Sequence, residues 1–149
     1  MAPITKATGT QRSDIISLLS AEKLPVEDLP AQLDHFFVAT DNNKVVGAIG
    51  LEEYNGHGLL RSMVVRSDHR NKNIAAALVM ELEAYALSLG ISEMYLLTET
   101  AASYFERKGY SKIERANVPA ALHASSEFSH VCPVSATVMK KQLHANSIV

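Results

Sequence analysis

A single cysteine, Cys132, is present among 149 residues. That excludes an intramolecular disulfide and leaves no cysteine-rich zinc site. An imbalance of charge is missing as well. The 14 Lys and Arg stand against 16 Asp and Glu, for a formal net charge of −2, which gives no reason to expect nucleic acid as a partner. No apolar run approaches the length of a membrane span, and Met1-Ala2-Pro3 lacks the charged-then-apolar pattern of a secretion signal. The expectation is a cytoplasmic protein without a membrane partner. His35, His57, His69 and His144 show no ligand spacing, although His57, flanked by glycines, is a minor candidate for substrate contact. His123, His130 and Cys132 lie closer together, but soft metals and metalloids favour several thiolates, so no metal is expected. Internal repeats and low-complexity segments are also absent.

What remains is an ordinary globular composition, with 47% hydrophobic and 20% charged residues. Such a chain is long enough to bury most of its apolar surface in one domain, taken here as residues 1–149. Pro3 to Ala7 reads as a short strand. Thr10 is placed to cap a helix through Ile15, Ile16, Leu18 and Leu19. Pro25 and Pro30 make Leu24 to Leu33 a loop with room for one short helix. His35 to Thr40 and Val45 to Tyr54 form a hairpin around Asp41-Asn42-Asn43-Lys44, and Gly47 and Gly50 mark a bulge or a close backbone approach. After Asn55-Gly56-His57-Gly58 comes a third strand, then a helix with Ile74, Leu78, Leu82, Tyr85 and Leu89 on one face and Gly90 as its stop. Glu93 to Thr98, Tyr110 to Ile113 and Ala136 to Leu143 read as strands, Thr100 to Lys108 as a short helix, and Pro119 to His123 as a helical turn. The order β-α-β-β-β-α-β-α-β predicts an α+β fold, a mixed central sheet flanked by helices.

The chain is organised around Leu59 to Leu78. An apolar strand ends at Val65, a polar elbow runs from Arg66 to Asn73, and a helix opens at once with Ile74, Ala75, Ala76. The first turn of a helix leaves backbone N–H groups unpaired, and its dipole favours negative charge. With Arg70 and Lys72 in the elbow, this arrangement reads as a pyrophosphate cradle.

Arg70-Asn71-Lys72-Asn73-Ile74-Ala75 resembles the acyl-CoA-binding motif of the GNAT N-acetyltransferase family, Arg/Gln-x-x-Gly-x-Gly/Ala. Asn73 stands where that family has glycine; asparagine tolerates positive φ, so the turn can still form. A second stretch, Ala101 to Tyr110, is similar to the family's Ala-x-x-Phe/Leu-Tyr-x-x-x-Gly-Phe helix. Leu97 to Ala101, Tyr104 to Tyr110 and Val118-Pro119-Ala120 resemble the acetyltransferase domain of N-acetylglutamate synthases. Leu60 to Val65 and Cys132 to Ala136 resemble small acetyltransferases of arsenic-resistance operons.

The resemblance implies an acetyl-CoA-dependent N-acetyltransferase acting on a small amine, an amino acid or an analogue, in a ternary complex. The alternative is a non-catalytic acyl-CoA-binding or sensor module. A homodimer is left open. The resemblance places the coenzyme on Met63, Val64 and Val65, on the elbow and helix start from Arg70, Asn71, Lys72 and Asn73 to Ile74, Ala75 and Ala76, and beside Phe105. It also places the Met63 N–H on the thioester carbonyl. The family's usual base position on this strand corresponds to Leu59, which cannot accept a proton. Glu52 or Glu53 at the end of the preceding strand could instead take the amine's proton. Phe105 occupies the position where many relatives use a tyrosine acid; Tyr104 is adjacent, rotated by roughly 100° around the helix. Tyr104 is therefore a candidate acid only if the helix is reoriented, and otherwise packs or lines the site while the thiolate leaves with solvent's help. By strand alternation Arg61 shares a face with Met63 and Val65. A buried guanidinium needs a partner, either a substrate carboxylate or a structural one such as Glu52 or Glu53.

Overall fold

The fold is that of a computed structural model, which describes residues 2–70, 72–125 and 136–144. Its elements are β1 Ile4–Lys6, α1 Arg12–Ala21, β2 Phe36–Asp41, β3 Lys44–Tyr54, β4 His57–Val65, α2 Ile74–Ser88, β5 Glu93–Thr98, α3 Ala102–Arg107, β6 Ser111–Lys112 and β7 Thr137–Gln142. The strand order is β1-β2-β3-β4-β5-β7-β6. β4 pairs with β5 in parallel, from His57↔Glu93 to Leu59↔Tyr95, whereas the β1–β2, β2–β3, β5–β7 and β6–β7 pairs are antiparallel. The sheet is mixed and the α+β expectation holds. Both strands expected after α3 are present, the first of them, β6, only two residues long.

The chain divides into two compact units, Met1–Leu51 with Arg61–Tyr85, and Glu52–Leu60 with Ala86–Val149. In the first unit α1 buries Ile15, Leu18 and Leu19, spaced as one helical face, in a cluster with Leu29, Leu33, Phe36, Val38, Ala48 and Val64. The helical segment begins earlier than Thr10. Thr8 is extended (φ −110°) at the head of a 3₁₀ turn, Gly9–Gln11, and its N–H donates to the Gln11 side chain at 2.9 Å. The cap belongs to Thr8, because the 3₁₀ turn runs straight into α1.

Both hairpins use two-residue turns with positive φ at both positions, Asn42 and Asn43 at 53° and 65°, Asn55 and Gly56 at 53° and 83°. This is the turn whose twist matches that of the flanking strands. Gly50 lies opposite Phe36 in the β2–β3 register, and a Cβ there would stand 2.5 Å from the Phe36 ring. The strand glycine marks a close approach, as expected.

α2 buries Ile74, Leu78, Val79, Leu82 and Ala86. It ends in a Schellman motif: Ile91 N–H donates to Ala86 O and Gly90 N–H to Leu87 O, with Gly90 at φ 84°. Leu89 was expected on the buried face but is 43% exposed. It is the residue before the left-handed glycine, and Ile91, beyond the reversal, is the residue that becomes buried. α3 ends the same way, with Tyr110 N–H on Phe105 O and Gly109 N–H on Glu106 O. The second unit has its own core of Leu59, Tyr95, Val118, Leu122 and Val138.

Candidate functional site

In the first unit, β4 does not run as a regular strand. Ser62 has φ +58°, so the alternation of side chains breaks there. Arg61 consequently faces the same layer as Val64: its guanidinium lies over Phe36, with 6.0 Å to the ring centroid, and Phe36 and Val64 share one core cluster. The expected grouping of Arg61 with Met63 and Val65 is therefore corrected. Arg61 is 2% exposed. It donates from Nη2 to Asp28 Oδ1 at 2.8 Å and from Nε to Ser62 Oγ at 3.0 Å. Asp28, in the loop after α1, is a carboxylate partner of this guanidinium that the strand pattern did not point to. Met63 and Val65 are half-buried, whereas the Val64 side chain is packed in the core, so only its backbone can serve a ligand.

From β4 the chain enters the elbow, and Arg66 N–H donates to Val46 O at 2.7 Å. Arg70 and Lys72 are exposed, and Asn71 lies outside the described residues. Arg70 is engaged by Glu22 at the end of α1; the pair is solvent-facing, so its worth is small. Asn73 is left-handed at φ +62° and its carbonyl accepts the Ala77 N–H at 3.1 Å, starting α2. The turn that the family builds on glycine is formed here by asparagine. Ile74 packs its side chain inward, while Ala75 and Ala76 are half-buried. The N–H groups of this first turn are those a helix leaves without intrahelical partners.

The elbow carries a network that the spacing of histidines did not reveal. His69 Nε2 lies 2.8 Å from Asp41 Oδ2 and its Nδ1 2.7 Å from Asp68 Oδ1. Asp68 in turn is held by a fork from Arg66, at 2.7 and 3.0 Å. The Asp41 and Asp68 carboxylates hold the His69 imidazole above its ordinary pKa. Asp68 is lowered, by Arg66 first and then His69, and Asp41 is lowered chiefly by His69. A cavity of about 720 Å³ opens beside this network, lined by Asp41, Asn43, His69, Lys72 and Asn73.

The other nominated residues belong to the second unit. The Tyr54 hydroxyl donates to Glu52 Oε1, and Glu53 accepts the Gly56 N–H at 3.2 Å. Phe105 is 3% exposed, its ring 5.3 Å from that of Tyr104 and 5.4 Å from that of Tyr110. It closes the α3 Schellman motif as the hydrophobic partner of Tyr110. The Tyr104 hydroxyl is buried without a hydrogen-bond partner among the described residues, and burial raises its pKa. Glu93 gathers His57, Tyr95 and Lys140 at 2.8, 3.1 and 3.1 Å. Burial pulls its carboxyl upward, but these three groups together hold it below the usual range. Burial and Glu93 push the Tyr95 phenol up to about 12. His57 is thus paired within this cluster. Among the described residues no cluster of His, Cys, Asp and Glu has the makings of a metal site, and no helix is long and apolar enough to cross a membrane. His123 is exposed on a 3₁₀ turn; His130 and Cys132 lie outside the described residues.

Comparison with known proteins converges on one family. The model of the acetyltransferase (GNAT) family matches residues 12–110. An uncharacterised N-acetyltransferase of Chlorobaculum tepidum is 33% identical over 98 residues, 65% of this chain and 63% of its own length. The N-acetylglutamate synthase of Neisseria gonorrhoeae, solved with coenzyme A and N-acetyl-glutamate, superposes with a TM-score of 0.85 at 14% identity, over 97% of this chain and 36% of the synthase. A GNAT-family acetyltransferase of Staphylococcus aureus superposes at 0.79 with 22% identity, covering 97% of this chain and 100% of its own. The chain thus spans less than two thirds of the Chlorobaculum relative and about a third of the synthase.

Proposed function

The chain belongs to the acetyltransferase (GNAT) family, and from that membership we propose that residues 1–149 work as one domain transferring acetyl from acetyl-CoA to the amine of a small molecule. The observation that carries the reading is Asn73. At φ +62° it turns the elbow directly into α2, so that the N–H groups of Ile74, Ala75 and Ala76 are presented at the positive end of a 15-residue helix. A pyrophosphate fits that chemistry. Lys72 adds charge, and Arg70 adds more once it releases the solvent-facing Glu22.

In the proposed reaction the amine lone pair attacks the thioester carbonyl carbon, and charge builds on the carbonyl oxygen against the Met63 N–H. The backbone of Val64 and Val65 pairs with the pantetheine amides as an added strand would. Collapse of the tetrahedral intermediate breaks the C–S bond. Glu52, oriented by the Tyr54 hydroxyl, is the proposed acceptor of the amine's proton, and Tyr104 the proposed donor to the departing thiolate. Amino acids and their analogues head the acceptors to be tried, and Arg61 would read their carboxylate only by giving up its pair with Asp28.

Free-thiol release from acetyl-CoA over a panel of amino acids, polyamines and aminoglycosides tests the proposal. Thermal stabilisation by acetyl-CoA without turnover on any amine would replace it with the non-catalytic coenzyme-binding module.

A further inference from the structure

We propose that His69, as an imidazolium, is a positioning residue that pins the coenzyme elbow to the β2–β3 hairpin, so that coenzyme affinity depends on its proton. The inference rests on the cradle reading above.

Both ring nitrogens face carboxylate oxygens, at 2.7 and 2.8 Å. A carboxylate only accepts, and a neutral imidazole has one N–H to give. The arrangement is complete only when both nitrogens donate, that is, when the ring is charged. The side chain is 10% exposed, so water is a poor substitute for either partner.

What the ring joins matters more than its charge. Asp41 is the last residue of β2 and precedes the turn residues Asn42 and Asn43, so the sheet fixes its position. Asp68 belongs to the elbow and is held there by Arg66. His69 itself precedes Arg70 and stands four residues before Asn73. The chain of contacts Asp41–His69–Asp68–Arg66 therefore ties the elbow to the sheet immediately before the residues proposed to hold pyrophosphate. The charged groups around the ring are Asp41 from β2, with Asp68, Arg66 and Lys72 from the elbow. Losing the His69 proton breaks one of the two contacts, to Asp41 or to Asp68, and removes a positive charge next to the proposed phosphate site.

The direction with pH follows. Because the folded pKa of His69 is raised, the pin is fully present below the ordinary histidine value and is lost as pH rises through the raised one. On the acid side it lasts until pH falls through the lowered values of Asp41 and Asp68.

The test is the dissociation constant of CoA by titration calorimetry between about pH 6 and 9, for the wild type, His69→Gln and Arg70→Ala. The wild type is expected to weaken at least about fivefold across the His69 titration. His69→Gln is expected to be weak and flat over the same range. Titration of the ligand itself enters both proteins equally and cancels in the comparison. By linkage, CoA must also raise the His69 pKa, read from its ring proton by NMR in the wild type, which keeps the proposal testable if the variant folds poorly. A wild-type profile retained in His69→Gln, or a His69 pKa unmoved by CoA, overturns the proposal and leaves the cradle standing. Absence of CoA binding, or Arg70→Ala binding like the wild type, overturns the cradle and the proposal with it.

Discussion

Arg61 Nη2 and Asp28 Oδ1 meet at 2.8 Å across 33 residues of chain, with side chains 0% and 8% exposed. The pair fastens the loop after α1 to β4 next to Ser62, the residue whose positive φ bends that strand. Breaking a buried ion pair by removing one partner costs about 3–5 kcal/mol. Asp28→Asn and Arg61→Met are each expected to lose that much stability in urea denaturation. The double variant Asp28→Leu/Arg61→Met is expected to recover a large part of it. Equal losses in the single and double variants would mean that the two groups do not depend on each other.

How far the sequence reached is visible at this pair. The elbow, both hairpin turns and the stops at Gly90 and Gly109 were legible, because each is written in residues that positive φ or an orphan amide demands locally. Ser62 was not, since nothing about serine announces a left-handed residue inside an apolar strand. Once that turn is missed, alternation puts Arg61 on the wrong face, and its partner in an aperiodic loop cannot be found. The contacts of Phe105 were hidden for a related reason: the motif gives its place on the helix, whereas its ring contact with Tyr110 follows from the turn at Gly109. The His69 network left one usable trace, a histidine beside Asp68 in an elbow already marked by Arg66 and Arg70, but Asp41 enters only through the hairpin.

At the elbow, Asn73→Gly is expected to preserve or tighten CoA binding, since glycine takes φ +62° without a side chain beside the phosphates. Arg70→Ala is expected to weaken binding and to make the remainder less salt-sensitive. Glu22→Gln should tighten it by freeing Arg70. Calorimetry at two ionic strengths measures all three, and a marked loss in Asn73→Gly would show that the asparagine side chain itself touches the ligand.

Tyr104 holds a buried hydroxyl with no partner among the described residues, an arrangement that costs stability until an acceptor arrives. Tyr104→Phe is expected to gain about 1 kcal/mol in stability and to lose roughly 100-fold in kcat, with the KM for acetyl-CoA little changed. A stabilised variant with full kcat would remove Tyr104 from the chemistry.

Gly50 and Gly47 separate two kinds of tight contact. A Cβ at Gly50 would meet the ring of the fully buried Phe36 at 2.5 Å; at Gly47 the nearest atom is the end of Leu78, at 3.1 Å. Gly50→Ala should cost about 2–3 kcal/mol, and Gly47→Ala clearly less. Denaturation midpoints give the order, and the reverse order would place the rigid contact elsewhere.

The turn between β3 and β4 also sets a chemical lifetime. Asn55 is exposed and followed by glycine, the pair in which the next backbone nitrogen most readily closes on the side-chain amide, expelling ammonia and forming a succinimide. Water reopens that ring largely to isoaspartate, which adds a methylene to the main chain, and a two-residue turn has no room for it. Here the attacking nitrogen, that of Gly56, is occupied as a donor to Glu53. Glu53 is thereby expected to slow the ageing of the hairpin that leads into β4. In stored protein, mass spectrometry should find this conversion at Asn55 before Asn43, which precedes a lysine, and sooner in Glu53→Ala than in the wild type. Equal ageing in the two proteins would leave Glu53 without that protective part.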